Sequence, residues 1–392
     1  MTIRQKTAGK AAIALSFIAF ISLGMPDGLL GVAWPGIRDT FSLPLDALGL
    51  LLLFSTAGYM ASSFFSGFLV RRYGIGGLLG LSCSLTAAAL MIYFLSPLWY
   101  LLLPAVFLGG VGAGAIDAGI NTYVEKHYSE RMMQWLHASF GVGVTLGPLV
   151  MTAGIALTGQ WRPGYLIVSL AQFALAIVFF TSLHSWQKDE PADQAREHRE
   201  KDAAIGETLR QLRALLSMLM FFIYTGVELG LGLWSYSLLT ISRGVRPEIA
   251  GLVTGSYWAM FTVGRILAGW YTRKMSVRTI LYSSIGLALA GTVLVALNPG
   301  IWLTIAGIGI IGFAIAPVFP SLISDTGNRV GIRHVSNTIG MQISAAGFGA
   351  AVVPSLAGVL ARIYGLEVIP LYMMAALALL FLSILISRGH KA

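Results

Sequence analysis

Residues 11–34 read AAIALSFIAFISLGMPDGLLGVAW, a nearly unbroken apolar run that follows Arg4, Lys6 and Lys10. About 20 such residues in a helix span the hydrocarbon core of a bilayer. The run is too long for the apolar part of a cleavable leader, so it predicts a first membrane crossing rather than a signal peptide. One residue is out of keeping with that setting. Asp27 stands between Pro26 and Gly28, and a charged group near mid-membrane costs ~2.5–3.5 kcal/mol or more. The fold must therefore shelter it. Proline removes a backbone donor and glycine loosens a helix, so a local break beside the carboxylate is expected.

The rest of the chain repeats the pattern. Of its 392 residues, 56% are hydrophobic and 11% charged, against about 25% charged in a soluble protein. Twelve candidate spans emerge, at 11–35, 45–70, 75–96, 98–124, 135–158, 163–185, 213–240, 249–271, 277–297, 300–324, 337–361 and 368–388. The expected fold is an all-α membrane protein of twelve helices in two six-helix bundles. Residues 1–185 would form the first bundle, 186–212 a charged cytoplasmic linker, and 213–392 the second bundle.

Basic residues fix the expected orientation. With both termini in the cytoplasm, inner segments carry 20 Lys and Arg and outer segments 5, with Arg265 inside the eighth span. That asymmetry is the positive-inside pattern, expected here in the cell (inner) membrane. It also accounts for the net charge of +9 without a nucleic-acid partner. The halves repeat as well. A shift of 202 lays Gly24–Gly28 on Gly226–Gly230, and Gly67 with Arg71–Arg72 on Gly269 with Arg273–Lys274. A shift of 206 lays Gly141, Gly143 and Pro148 on Gly347, Gly349 and Pro354. Two like-oriented halves joined by a polar linker are the plan of a rocking transporter.

Enzyme chemistry finds no footing. The single cysteine, Cys83, excludes a disulfide framework and a cysteine-ligated metal. No phosphate-cradling loop, His/Cys metal spacing or serine-based nucleophile motif is present, and no cofactor is implied.

Over nearly its whole length the chain resembles the major facilitator superfamily. Both loops after the second span of each half resemble that superfamily's loop signature: Gly67-Phe-Leu-Val-Arg71-Arg72-Tyr-Gly74 and Gly269-Trp-Tyr-Thr-Arg273-Lys274. They depart from it where Arg71 and Arg273 replace the usual acid. Within the superfamily the chain is similar to the fucose:proton symporter family. The stretches carrying this likeness are Gly24-Met-Pro-Asp27-Gly28, Gly110-Val-Gly112-Ala-Gly114-Ala-Ile-Asp117-Ala-Gly-Ile-Asn121 and Tyr224-Thr-Gly226-Val-Glu228. The fifth span, with Leu136-His137-Ala-Ser-Phe140-Gly141-Val-Gly143 and Gly147-Pro148, resembles the sodium-dependent glucose transporter branch. The resemblance implies that Asp27 and Asp117 are the functional carboxylates, although Asp117 is one methylene shorter than the family's usual glutamate. The family's glutamine-rich sugar contacts on the fifth span are not reproduced, so sugar identity does not carry over.

Three acids therefore lead the candidate site: Asp27, Asp117 and Glu228, read as proton-coupling groups. Asp117, Asn121 and Glu125 fall at i, i+4 and i+8, on one helical face, a stripe running toward the cytoplasm. Arg265, the only intramembrane cation, could pair with Glu228 or anchor the nearby loop. Glu125, Arg71, Arg72 and Arg273 are read as gating or structural. A sugar offers hydroxyls to polar side chains and apolar C–H faces to aromatic rings. Asn121, His137, Tyr224, Tyr257, Gln342, Trp34 and Trp234 are therefore the candidate solute contacts. For each, plain helix packing or an interfacial aromatic belt is the competing reading.

The expected function is secondary active transport of a sugar or similar small polyhydroxylated solute by a monomer in the lipid bilayer. Coupling is to a proton, with sodium an open alternative. A proton-coupled exporter of drugs or metabolites, a lipid flippase and a non-transporting sensor are the competing readings.

Overall fold

The computed structural model describes residues 3–127, 130–183, 186, 205–271, 274–298 and 300–389. Every regular element there is helical. In chain order these are α1 (Ile3–Phe41), α2 (Leu48–Leu95), α3 (Leu102–His127), α4 (Glu130–Thr158), α5 (Arg162–Thr181), α6 (Ile205–Leu209) and α7 (Leu212–Ser237). They continue with α8 (Pro247–Tyr271), α9 (Val277–Leu297), α10 (Ile301–Ile315), α11 (Val318–Ser324), α12 (Thr326–Val330), α13 (Val335–Tyr364) and α14 (Val368–Gly389). Among the described residues, eleven helical stretches are long and apolar enough to cross a membrane. The expected eighth crossing, α8, has the length at 25 residues. It carries Glu248 and Arg265 and is not one of the eleven.

Four details differ from the sequence reading. The break expected at Pro26–Gly28 is absent, because α1 runs unbroken through both Pro26 and Pro35. A proline deletes one N–H donation, which a long, well-packed transmembrane helix tolerates. The second and third spans follow each other within α2, where the only non-helical residue is Gly74, at φ 70° and ψ 167°. That left-handed φ is strained for a residue with a Cβ. The sixth span ends at Thr181 rather than 185. The tenth is divided into α10 and α11 at Pro317, since proline lacks the amide hydrogen that would continue the helical ladder. Most of the charged linker, 187–204, lies outside the described residues.

Packing divides the chain into two compact units. The first comprises Met1–Lys188 and Ser235–Ala259, the second Asp189–Trp234 and Met260–Ala392. In the first, the core gathers Phe20 and Leu23 of α1, Leu79 and Cys83 of α2, Ile116 and Ile120 of α3, Leu136 of α4 and Phe179 of α5.

Backbone-to-backbone contact at glycines governs how these helices approach. Lipid tails are as apolar as the helices, so close packing replaces the hydrophobic drive, and small residues permit it. Where α1 meets α4, a Cβ on Gly147 would lie 2.6 Å from the Met25 carbonyl oxygen and 2.7 Å from the Gly28 Cα. One on Gly28 would lie 2.7 Å from Pro148 Cδ. Along α2 and α3, Gly58 abuts the Phe107 carbonyl, Gly110 the Ser55 carbonyl and Gly114 the Tyr59 carbonyl. The second unit repeats the first arrangement: Gly349 of α13 abuts the Phe222 carbonyl of α7, and Gly226 packs on Val353. Gly143 and Gly349, which align at the shift of 206, thus make the same close approach to a neighbouring backbone carbonyl in each half.

Replacing Gly147 with valine should force α1 from α4 and lower the melting temperature in detergent by about 2–10 °C, as overpacking of ~1–3 kcal/mol implies. Gly286→Ala, at a helical position with nothing within 4 Å of the added carbon, should leave it within about 1 °C on the same reasoning. Equal tolerance at both positions would contradict the close-approach account.

Candidate functional site

The α2–α3 glycine contact sets up the first polar cluster. With Gly114 pressed on the Tyr59 carbonyl, the Tyr59 side chain reaches one helical turn along α3. There its hydroxyl donates a hydrogen bond to Asp117 Oδ2. Asn121 Nδ2, one turn further, donates to Asp117 Oδ1 at 2.9 Å. Both carboxylate oxygens are thus held by neutral donors. Asn121 spends its amide nitrogen on this bond, and its Oδ1 is buried without a hydrogen-bond partner among the described residues. Ser63 hydrogen-bonds across the same seam to the Gly114 carbonyl at 3.2 Å.

Asp27 of α1 completes the group. Its carboxylate interacts electrostatically with both Asp117 and Tyr59. The Asp27 side chain is exposed, and a carboxylate exposed within a spanning helix has to face water rather than hydrocarbon. Among the described residues no ion pair reaches Asp27 or Asp117. Two carboxylates therefore share one locality with no ion-pair partner among the described residues.

A second cluster lies wholly in the other unit. Arg265 Nη2 of α8 stands 3.8 Å from Glu228 Oε1 of α7. Tyr224 lies one turn before Glu228 on α7, with its hydroxyl near the same carboxylate. The Arg265 guanidinium lies over the Phe261 ring, 4.3 Å from its centroid, a cation–π arrangement. Tyr224 faces Phe319 with centroids 6.0 Å apart, and Phe319 meets Phe221 edge-on at 5.0 Å.

The other candidates are dispersed. Trp34 is fully buried beside Trp99, 6.2 Å between ring centroids. Trp234 is buried and donates from Nε1 to the Pro354 carbonyl at 2.9 Å, tying α7 to α13. Gln342 is fully buried and bonds Thr326 through its amide nitrogen at 3.0 Å. Tyr257 is buried against the edge of Trp258, and His137 stands edge-on to Phe20 at 5.6 Å. In this structure Trp34, Trp234, Tyr257 and Gln342 are thus occupied in packing and helix-to-helix bonds. Arg72 is exposed. Arg273 and the side chains of Arg71 and Glu125 lie outside the described residues.

Two features escaped the sequence reading. The sequence reading does not include Tyr59, although Gly58, Ser62 and Ser63 beside it mark a small, polar helix face. Nor does it single out Asp325 and Arg329. They form a buried i, i+4 ion pair at 2.9 Å, with Arg329 Nη1 also on Met220 Sδ at 3.0 Å.

Long apolar helices packed through glycine, with carboxylates kept inside the spans, define a multi-pass integral membrane protein. Residues 15–331 match the Major Facilitator Superfamily, and the chain belongs to that superfamily. It is 22% identical over 346 residues to the glucose/mannose transporter GlcP of Bacillus subtilis (strain 168), covering 86% of this chain and 85% of that protein. It is 24% identical over 387 residues to the sodium-dependent glucose transporter 1 of Homo sapiens, covering 87% of this chain and 72% of that protein. In fold it resembles the crystal structure of a bacterial homolog to the human lysosomal transporter Spinster, in an inward-facing and occupied conformation. The TM-score is 0.72 over 98% of this chain and 99% of that one, at 14% identity, a likeness of fold alone. Relatives and fold are those of transporters, not of enzymes.

The Tyr59–Asp117 bond should be measurable as a coupling energy. In a double-mutant cycle of Tyr59→Phe and Asp117→Ala, followed by unfolding in mixed micelles, the interaction should amount to ~1.5–3 kcal/mol, as for a hydrogen bond to a charged group. Strict additivity would mean that the two side chains do not sense each other.

Proposed function

We propose that this protein is a secondary active transporter of a neutral sugar or similar small polyhydroxylated solute, driven by a cation that binds at Asp27 and Asp117. The observation that carries the reading is the pairing of those carboxylates, within spanning helices, without a basic partner among the described residues. The glucose transporters among the relatives support the solute class.

The chemistry follows from electrostatics. An empty carrier would have to reorient with uncompensated negative charge in a low-dielectric setting, where unpaired charges are costly. A cation seated between Asp27 and Asp117 neutralises part of that charge. Solute hydroxyls can then satisfy what remains, including the unpartnered Asn121 oxygen. Binding of cation and solute together lowers the barrier to reorientation that either alone leaves high. A proton is the favoured cation, because it needs one lone pair, which each Asp117 oxygen keeps beside the bond from Tyr59 or Asn121, whereas a metal ion needs several oxygen ligands. Sodium is the second reading, favoured by the printed name of the human relative. On this account the chain works in the cell membrane with both termini in the cytoplasm. Its twelve crossings form two six-helix bundles, 1–185 and 213–392, joined by 186–212.

Proteoliposomes loaded with the purified chain should accumulate glucose or mannose under an inward proton gradient. Asp27→Asn and Asp117→Asn should abolish gradient-driven accumulation by about tenfold or more, while solute-for-solute exchange persists. A sodium gradient at fixed pH separates the two coupling ions. Accumulation unaltered in both variants would refute the reading.

A further inference from the structure

Loading a proton onto Asp117 changes the direction of its hydrogen bonding. As a carboxylate it only accepts, from the Tyr59 hydroxyl at Oδ2 and from Asn121 Nδ2 at Oδ1, 2.9 Å away. As a carboxylic acid it carries an O–H and must also donate. Asp117 is half-buried, and a polar hydrogen withdrawn from water is costly unless it finds an acceptor. The two side chains bonded to Asp117 differ in how they meet that demand. The Asn121 amide nitrogen donates and cannot accept, whereas a phenol hydroxyl does both. By turning its O–H about the ring C–O bond, Tyr59 can accept from the acid with no movement of the ring. The ring itself is well placed. Gly58 abuts the Phe107 carbonyl and Gly114 the Tyr59 carbonyl, so the backbone that carries the ring is pinned to α3. Ser62 Oγ donates to the same Tyr59 carbonyl at 3.2 Å. Asp27 shares the locality, interacting electrostatically with Tyr59 as it does with Asp117.

We propose that Tyr59 is the proton-switching partner of Asp117, a positioning residue whose hydroxyl donates to the carboxylate and accepts from the acid. Loading forms one O–H bond at Asp117 Oδ2, with the proton delivered from the aqueous side. The phenol keeps its own hydrogen throughout, and only the direction of the hydrogen bond reverses. Release of the proton restores the first arrangement. Asp117 is paired at Oδ2 in both states, so the seam between α2 and α3 holds while the charge changes. The inference rests on the reading of Asp117 as a carboxylate loaded by a proton, and it names the side chain that keeps the acid paired. It also sets Tyr59 apart from plain packing. A phenylalanine would fill the same space between the helices and could neither donate nor accept.

Infrared difference spectra of the purified full-length chain on acidification read the reversal directly. A carboxylic acid C=O band should appear together with a displaced tyrosine C–O band, because that stretch differs between a phenol that donates and one that accepts. Both changes should be lost in Asp117→Asn, and the tyrosine change alone in Tyr59→Phe. In proteoliposomes, Tyr59→Phe should slow proton-driven hexose accumulation about tenfold more than hexose-for-hexose exchange, since exchange does not require the proton to leave and a hydrogen bond to a charged group is worth that factor. In an Asp117→Asn background, adding Tyr59→Phe should change the ratio of the two rates no further. Should Tyr59→Phe fail to fold, the infrared comparison of wild type with Asp117→Asn still decides. A tyrosine band that does not move with Asp117 would overturn the switch. So would accumulation and exchange falling in step in Tyr59→Phe, the mark of a merely structural residue. A wild-type chain that carries no hexose, or accumulates it without regard to a proton gradient, would overturn both this inference and the reading beneath it. Proton-driven accumulation lost in Asp117→Asn but kept in Tyr59→Phe would overturn the switch alone.

Discussion

Charge inside hydrocarbon must be met by something, and in the first unit it is met by a tyrosine and an asparagine rather than by a cation. That one constraint organises the surrounding helices. Tyr59 reaches Asp117 because α2 and α3 touch through backbone at Gly58, Gly110 and Gly114. Asp27 sits in a helix held to α4 by the reciprocal contact of Gly28 and Gly147. Enlarge any of these glycines and the acids lose the spacing at which they share one electrostatic environment. Close packing and polar chemistry are thus one design, in which small residues bring the backbones together and the larger polar ones reach across the seam.

The two units meet the same constraint differently. Among the described residues of the first, no ion pair reaches Asp27 or Asp117. In the second, the Glu228 carboxylate faces the Arg265 guanidinium at 3.8 Å, and Asp325 and Arg329 pair more closely, at 2.9 Å.

Much of the architecture was legible before any coordinates. Hydrophobic run length disclosed the spanning helices, because the bilayer imposes it on composition. The repeat was visible in glycine spacing, since close backbone approach tolerates little else. Asp27, Asp117 and Glu228 stood out because cost makes acids rare in apolar spans. What was hidden depended on which helices meet. Tyr59 lies 58 positions from Asp117, and nothing local announces that encounter. Trp34, Trp234 and Gln342 have the chemistry of sugar contacts, but burial against Trp99, Pro354 and Thr326 follows from packing that composition does not encode. The continuous helix through Pro26 has the same lesson: neighbouring helices, not the local dipeptide, decide whether a transmembrane proline opens the backbone.

The central claim is that Asp27 and Asp117 take up positive charge together with cargo. Charge displacement on a supported membrane reads this directly. A glucose jump onto proteoliposomes of the wild-type chain should evoke a transient current carrying positive charge in the direction of sugar entry, and the Asp27→Asn, Asp117→Asn double variant should give none while still binding glucose. A current of the same size and sign from the double variant would contradict the account.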